Sequence, residues 1–354
     1  MHGLPKGCGL TTGKNARTAG DKAHAQRAPA SGRPITLVWR RRPRAAIAWG
    51  VALLLVVALS AWLARRNVPP MAVDPTSPEA PPLALPRLSV KQLLAAGPTA
   101  DWRVVRLSDN TAVLAIEFPN LLAQGLTFNR MAALVEKKNG ARGRVLNDAE
   151  LSALIKSTGD NIETFYQGHD YTDIDLARFY SLAAAQQLSL NPQELRLRTL
   201  LLQEGLMGEQ SPGLYAATSR QAVIGFSSVQ PDNPATRQDE SIDPQRRASV
   251  LLHEFSHGQF FTRPEYQKAC WKFWTEALGD SERQLFRTYL AQHDYDADNE
   301  VLMVNETQAL LMHTPDPRAF NAAALGVSEV RLAHWRKRFQ QVGMPAAADV
   351  GLLR

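Results

Sequence analysis

Fourteen consecutive residues, Ala248–Phe261, read ASVLLHEFSHGQFF and carry one formal charge, Glu254. At helical spacing Val250, His253, His257 and Phe260 share one stripe, while Leu252, Phe255 and Phe261 cover the others. A helix apolar nearly all round is a buried helix, so the fold must be built around this one. Asp243-Pro244 supplies its N-cap and first turn. Two imidazoles and a carboxylate buried together are costly unless a partner compensates them.

The residues concerned, His253-Glu254-Phe255-Ser256-His257, form an HExxH motif. Positions i and i+4 lie one turn apart on one face, so both imidazoles can reach one ion. Glu254, about 100° round the helix, is turned away from that pair and can instead reach a water in the ion's open position. The bland alternative is a buried His–Glu hydrogen-bonded pair without metal. A catalytic zinc needs a third protein ligand, and position 263 is Arg263, so no third histidine continues the motif. Two glutamates compete. Glu306 is a lone carboxylate among Leu302, Met303, Ala309 and Leu310 at helical spacing. Glu276, beside Lys272, Phe273, Gly279 and Asp280, has the wetter setting. Spacing favours Glu276 and burial favours Glu306. A ligand carboxylate is desolvated with its metal, so Glu306 is the expected ligand and Glu276 the alternative. His169 and Asp170 come next if neither serves.

The rest of the chain sets where this helix works. Ala45–Ala64 is a run of twenty residues without a charge, about 30 Å as a helix, and reads as a transmembrane span. Residues 1–44 hold ten Lys/Arg against one acid, a charge of +9, so the net +6 of the whole chain leaves the remainder at −3. The basic character is a tail. It reads as disordered and cytoplasmic by the positive-inside rule, touching lipid headgroups rather than nucleic acid. Residues 67–86 hold seven of the 22 prolines and, with 65–66, form a stiff linker over 65–86. The domain 87–354 is therefore expected on the extracytoplasmic side, periplasmic in a Gram-negative bacterium. Two cysteines exclude a disulfide scaffold, and Cys270 reads as a buried, inert thiol.

Within 87–354 the expected class is α+β, mostly helical. Trp102–Leu107, Ala112–Phe118 and Ala222–Ser227 read as strands. Leu121–Lys138, the stretch after Asn147, Ile174–Leu188, Pro192–Glu204, 244–261, 264–278, Ser281–Ala291, Asn299–His313 and Ser328–Val342 read as helices. Thr262 to Glu265 has capping-box spacing. Ala222–Ser227, some twenty-five residues before the motif, is the candidate edge strand for an extended substrate. His169, Tyr171, His293 and Tyr295 are candidate proton donors near an oxyanion.

His253–His257 with a downstream helical glutamate resembles the gluzincin metallopeptidases. Asn305-Glu306 is similar to the Asn-Glu of the thermolysin group's ligand helix, and Glu306 with Ala309 looks like the ExxA of membrane-associated peptidases. No Asp follows Ala309, and the gap from His257 to Glu306 is longer than in thermolysin. Glu276 matches the HExxH-x18-E spacing of aminopeptidase-type gluzincins, whose GxMEN motif is absent. The resemblance covers 244–313. It implies a zincin-like core, a Zn²⁺ cofactor and peptide-bond hydrolysis with Glu254 as general base. The exported domain also looks like that of uncharacterised membrane-anchored bacterial proteins. The expected function is a single-pass, membrane-anchored zinc peptidase whose partners are a peptide or protein substrate and the bilayer, with no nucleic acid. The alternatives are a non-catalytic, metal-stabilised envelope binding module and a cell-wall peptide amidase. Intact Glu254 favours an enzyme.

Overall fold

A sheet of five strands organises the first half of the domain, and its order departs from the order of the sequence. The computed structural model describes residues 84–137 and 143–342. The basic tail, the apolar run 45–64 and most of the proline-rich segment lie outside the described residues. Among the described residues no helix is long and apolar enough to cross a membrane. These residues belong to one unit, Ala80–Arg354. The end of the expected linker is already part of it, since the Pro86 carbonyl accepts from the Arg106 amide at 3.0 Å.

The strands are β1 (Arg87–Leu88), β2 (Arg103–Leu107), β3 (Val113–Phe118), β4 (Gly168–Thr172) and β7 (Ala222–Ser227), with β5 (Met207–Ser211) and β6 (Leu214–Ala217) forming a separate hairpin. The sheet order is β1-β2-β3-β7-β4. β3 and β7 pair parallel, and β4 pairs antiparallel with β7. Side-chain alternation divides the strands between two cores. Leu114, Ile116, Phe118 and Val223 face one, while Val113, Ala115, Ile224 and Phe226 face the other. The first core is roofed by α2 (Leu121–Val135), α4 (Asp173–Ala185) and α5 (Pro192–Gln203), which follow α1 (Val90–Ala95) and flank α3 (Asp148–Ser157). The second is closed by Leu251 and Phe255 of α6 (Pro244–Thr262), the helix that carries the motif. The class is a mixed α/β fold, mostly helical, with a small mixed sheet.

Behind α6 the chain is helical: α7 (Pro264–Lys272), a π-helical turn (Phe273–Ala277), α8 (Asp280–Gln292), α9 (Glu300–His313) and α10 (Glu329–Gln341). They share a core of Phe260, Phe273, Trp274, Phe286, Trp335 and Phe339, in which Cys270 is also buried. α6 therefore lies between sheet and helices, and residues 254–260 are all buried. Gly258 permits the approach, because a Cβ there would sit 3.0 Å from a Val113 methyl.

The start of α6 is bound to the sheet by charge. Glu117, fully buried in β3, accepts from Arg247 Nε at 2.8 Å, from Ser228 Oγ at 2.8 Å and from Arg103. Arg247 also donates to the Leu93 carbonyl at 2.9 Å. Each buried charge has its opposite, and removing one partner of such a group costs about 3–5 kcal/mol.

Two expectations change here. Ala222–Ser227 is not an edge strand: β7 sits between β3 and β4, with every residue buried. The edge beside α6 is β4, whose sequence, Gly-His-Asp-Tyr-Thr, is polar. Thr262 does not cap α7, since its hydroxyl donates to the Gly258 carbonyl at 2.6 Å within α6. Arg263 takes the cap position without a side-chain bond.

Candidate metal centre

His253 and His257 project from one turn of α6 towards α9, their rings 4.7 Å apart and nearly perpendicular. Glu306 reaches them from the middle of α9, with one carboxylate oxygen 3.5 Å from His253 Nε2 and the other 3.7 Å from His257 Nε2. Burial lowers the His253 imidazole to about 4, so it is neutral at pH 7 and the contact is not an ion pair. Zinc bonds of about 2.0–2.2 Å place neighbouring tetrahedral ligands about 3.3–3.6 Å apart, close to the spacing of these atoms. The residues present therefore fit a zinc ion.

The tautomer fits as well. Thr314 Oγ1 donates its only proton to the Ala309 carbonyl at 3.0 Å. Its 2.8 Å contact with His253 Nδ1 must then be a bond donated by the imidazole. Nε2 is left unprotonated, facing Glu306 and His257. Behind the motif a chain of buried polar groups ties α6 to α7 and α9. Gln308 donates to Ser256 Oγ at 3.1 Å, and Ser256 donates to the His253 carbonyl at 2.7 Å. Tyr266 lies 2.9 Å from His313 Nε2 and donates to Gln308 at 2.5 Å.

Glu254 points from α6 to β4, with a carboxylate oxygen still within 4.8 Å of a His257 ring nitrogen. A Cβ at Gly168 would fall 2.0 Å from its Oε1, so only glycine leaves room for this carboxylate. Its Oε2 is buried without a hydrogen-bond partner. Asp170, two residues along the same strand face, brings a carboxylate within 4.8 Å of ligand atoms of both Glu254 and His257. Burial, then the neighbouring Asp170 and Glu306, push the Glu254 carboxyl well above the usual range. Burial raises Asp170 to about 6.

The remaining expectations sort by strand face and exposure. Glu276 is exposed on the π-helical turn and outside the cluster. His169 is buried on the opposite face of β4 from Asp170, against Phe128, with Tyr171 Oη 3.0 Å from its Nδ1. His293 is exposed and bonds the Tyr289 carbonyl at 2.8 Å. Tyr295 does line the centre: with Tyr166, His253 and Glu254 it bounds a cavity of about 170 Å³. Tyr166, Gly168, Thr314 and Glu136 were not expected from the sequence. Glycine and threonine carry no charge pattern that would single them out, and Glu136 lies at the end of an otherwise ordinary helix. Comparison with protein-family models, with curated proteins and with solved structures gives no match for this chain.

Proposed function

We propose that this chain is a zinc-dependent peptidase with a zincin-like core, tethered by the apolar run 45–64 so that its domain faces the extracytoplasmic side. The observation that carries this reading is Glu306 standing 3.5 and 3.7 Å from the two motif imidazoles, with Glu254 alongside but turned to the edge strand. His253, His257 and Glu306 hold the ion. Bound zinc supplies Lewis acidity, lowering the pKa of a water and polarising a carbonyl.

The other parts of the reaction fall to the protein. Glu254 accepts the proton of the attacking water and later gives it to the leaving nitrogen. β4 presents an extended substrate with a partner. The Asp173 amide bonds the Gln221 carbonyl at 3.1 Å, and antiparallel alternation then turns the Asp170 backbone groups outward, away from β7. Tyr166 and Tyr295 line the cavity beside Glu254, and burial raises both phenols, which keeps them protonated donors for a developing oxyanion.

The test is metal content. The full chain purified without chelators is expected to carry about one zinc per molecule. A chain that holds none, and takes up none when zinc is added, does not have this function.

A further inference from the structure

Two carboxylates beside the centre are used neither as ligand nor as base. Glu136 ends α2 and is 6 % exposed, and its Oε1 is buried without a hydrogen-bond partner. The groups that face it are the carboxylates of Asp170 and Glu306 and the phenols of Tyr166 and Tyr171. Among the described residues no Lys or Arg forms an ion pair with Glu136 or with Asp170. The adjacent Lys137 is turned elsewhere, 3.7 Å from Asp294 and over the rings of Phe165 and Tyr166.

Both carboxylates line one cavity of about 700 Å³. Four acids border it, Glu136, Asp170, Asp173 and Asp175, against a single base, Arg220. Asp173 accepts from the Ile174 and Gln221 amides, Asp175 accepts from the amide and hydroxyl of Thr172 at the start of α4, and Arg220 is held by the Phe261 carbonyl and by Gln267. The inner pair is thus left with neutral or shared partners, the phenols of Tyr166 and Tyr171 at Glu136 and the imidazoles of His257 and His253 at Asp170. The rim is apolar and open, with Ile174 65 % and Val301 49 % exposed. A carboxylate taken out of water calls for a positive partner, and an apolar approach suits the hydrocarbon next to a cationic head.

We propose that this cavity, on the Asp170 side of the metal centre, receives a cationic group of the substrate, an ammonium or guanidinium, held between Glu136 and Asp170. The cation is either the α-ammonium of a peptide's first residue or the head of a Lys or Arg side chain. Which of these it is decides whether the enzyme trims N-termini or cuts beside basic residues. The inference rests on the peptidase reading for its substrate, but not for the charge of the cavity.

The experiment uses the full, zinc-loaded chain in detergent and three probes: leucine hydroxamate, N-acetyl-leucine hydroxamate and N-acetyl-lysine hydroxamate. Calorimetric titration needs no turnover. At least one cationic probe is expected to bind about tenfold or more tighter than the neutral one, as befits a charge-assisted pair. A gain with leucine hydroxamate assigns the α-ammonium, and a gain with the lysine probe assigns the side chain. Glu136→Gln should remove the preference without changing zinc content or affinity for the neutral probe, and Glu136→Asp should restore it. Equal binding of all three probes, or a preference that survives Glu136→Gln, overturns the proposal. A chain without zinc defeats the peptidase reading instead. The same three compounds as amides, titrated into the metal-free chain, then decide the charge of the cavity.

Discussion

Thr314 Oγ1 receives the His253 Nδ1 proton at 2.8 Å while giving its own to the Ala309 carbonyl. One hydroxyl thus fixes both the orientation and the tautomer of an imidazole on a different helix. Thr314→Val keeps the shape and removes the acceptor. Zinc affinity should fall by about 10–100-fold, the usual effect of losing such an outer partner. Competition with a fluorescent chelator measures it, and unchanged affinity would show that the tautomer is set by something else.

Ligands and base should separate by substitution. Glu254→Gln leaves both imidazoles and Glu306 in place, so zinc should stay while hydrolysis falls by about 10²–10⁴-fold. Glu306→Gln puts a weak neutral donor in a buried ligand position, so zinc occupancy and thermal stability should fall together. Glu276→Gln should change neither. Zinc lost from the Glu276 variant and kept in the Glu306 variant would reverse the assignment.

Gly168→Ala tests the contact between edge strand and base. The added methyl would lie 2.0 Å from Glu254 Oε1, so the carboxylate must move. Zinc binding should be retained, because Gly168 touches no ligand, and turnover should drop by about 10²-fold, as for a misplaced catalytic group. A variant as active as the parent would show that Glu254 does not work from this position.

Acid should weaken the clamp at the start of α6. Asp243 caps the helix and accepts two bonds from Arg318, at 2.6 and 3.0 Å. Arg318 first, then the Arg246 amide, hold its carboxyl well below the ordinary carboxylate range. A depressed folded-state value means the contribution is present above the unfolded value, about 4, and is lost as pH falls below it. Arg318→Ala should therefore lower Tm at pH 7, and the difference from the parent should shrink by pH 3. A difference that stays constant over that range would refute the linkage.

Membrane topology gives an independent check. Ten basic residues precede Ala45, and only Arg65 and Arg66 follow the apolar run before Arg87. A reporter fused after Arg354 should be active only outside the cytoplasm. Cytoplasmic activity would place the domain on the other side.

What the sequence made legible and what it hid have physical reasons. The α6 and α9 helices were readable because their apolar residues recur all round, which leaves His253, His257 and Glu306 as polar exceptions that demand a partner. Asn147 and Asn191 marked helix starts, and both form capping boxes. β4 was missed because Gly168, Asp170 and Thr172 face the site, while the inward positions are His169 and Tyr171, so the strand shows no apolar alternation. β7 was found as a strand, but its neighbours are set by long-range pairing that no local pattern records. Glu276 had the attractive spacing, yet the π-helical turn leaves it in solvent. Spacing counts residues, and it does not register which way a turn directs them.

The pairing of His253 with Thr314 spans 61 residues, and that of Arg247 with Glu117 spans 130. A chain made from its N-terminus therefore exposes the motif helix well before α9 and Thr314 exist. Until nearly the whole domain has emerged, the motif helix lacks Glu306, the Thr314 partner of His253 and the Arg318 clamp. On the proposed peptidase reading, order of synthesis alone would keep the nascent chain inert beside its own unfolded segments.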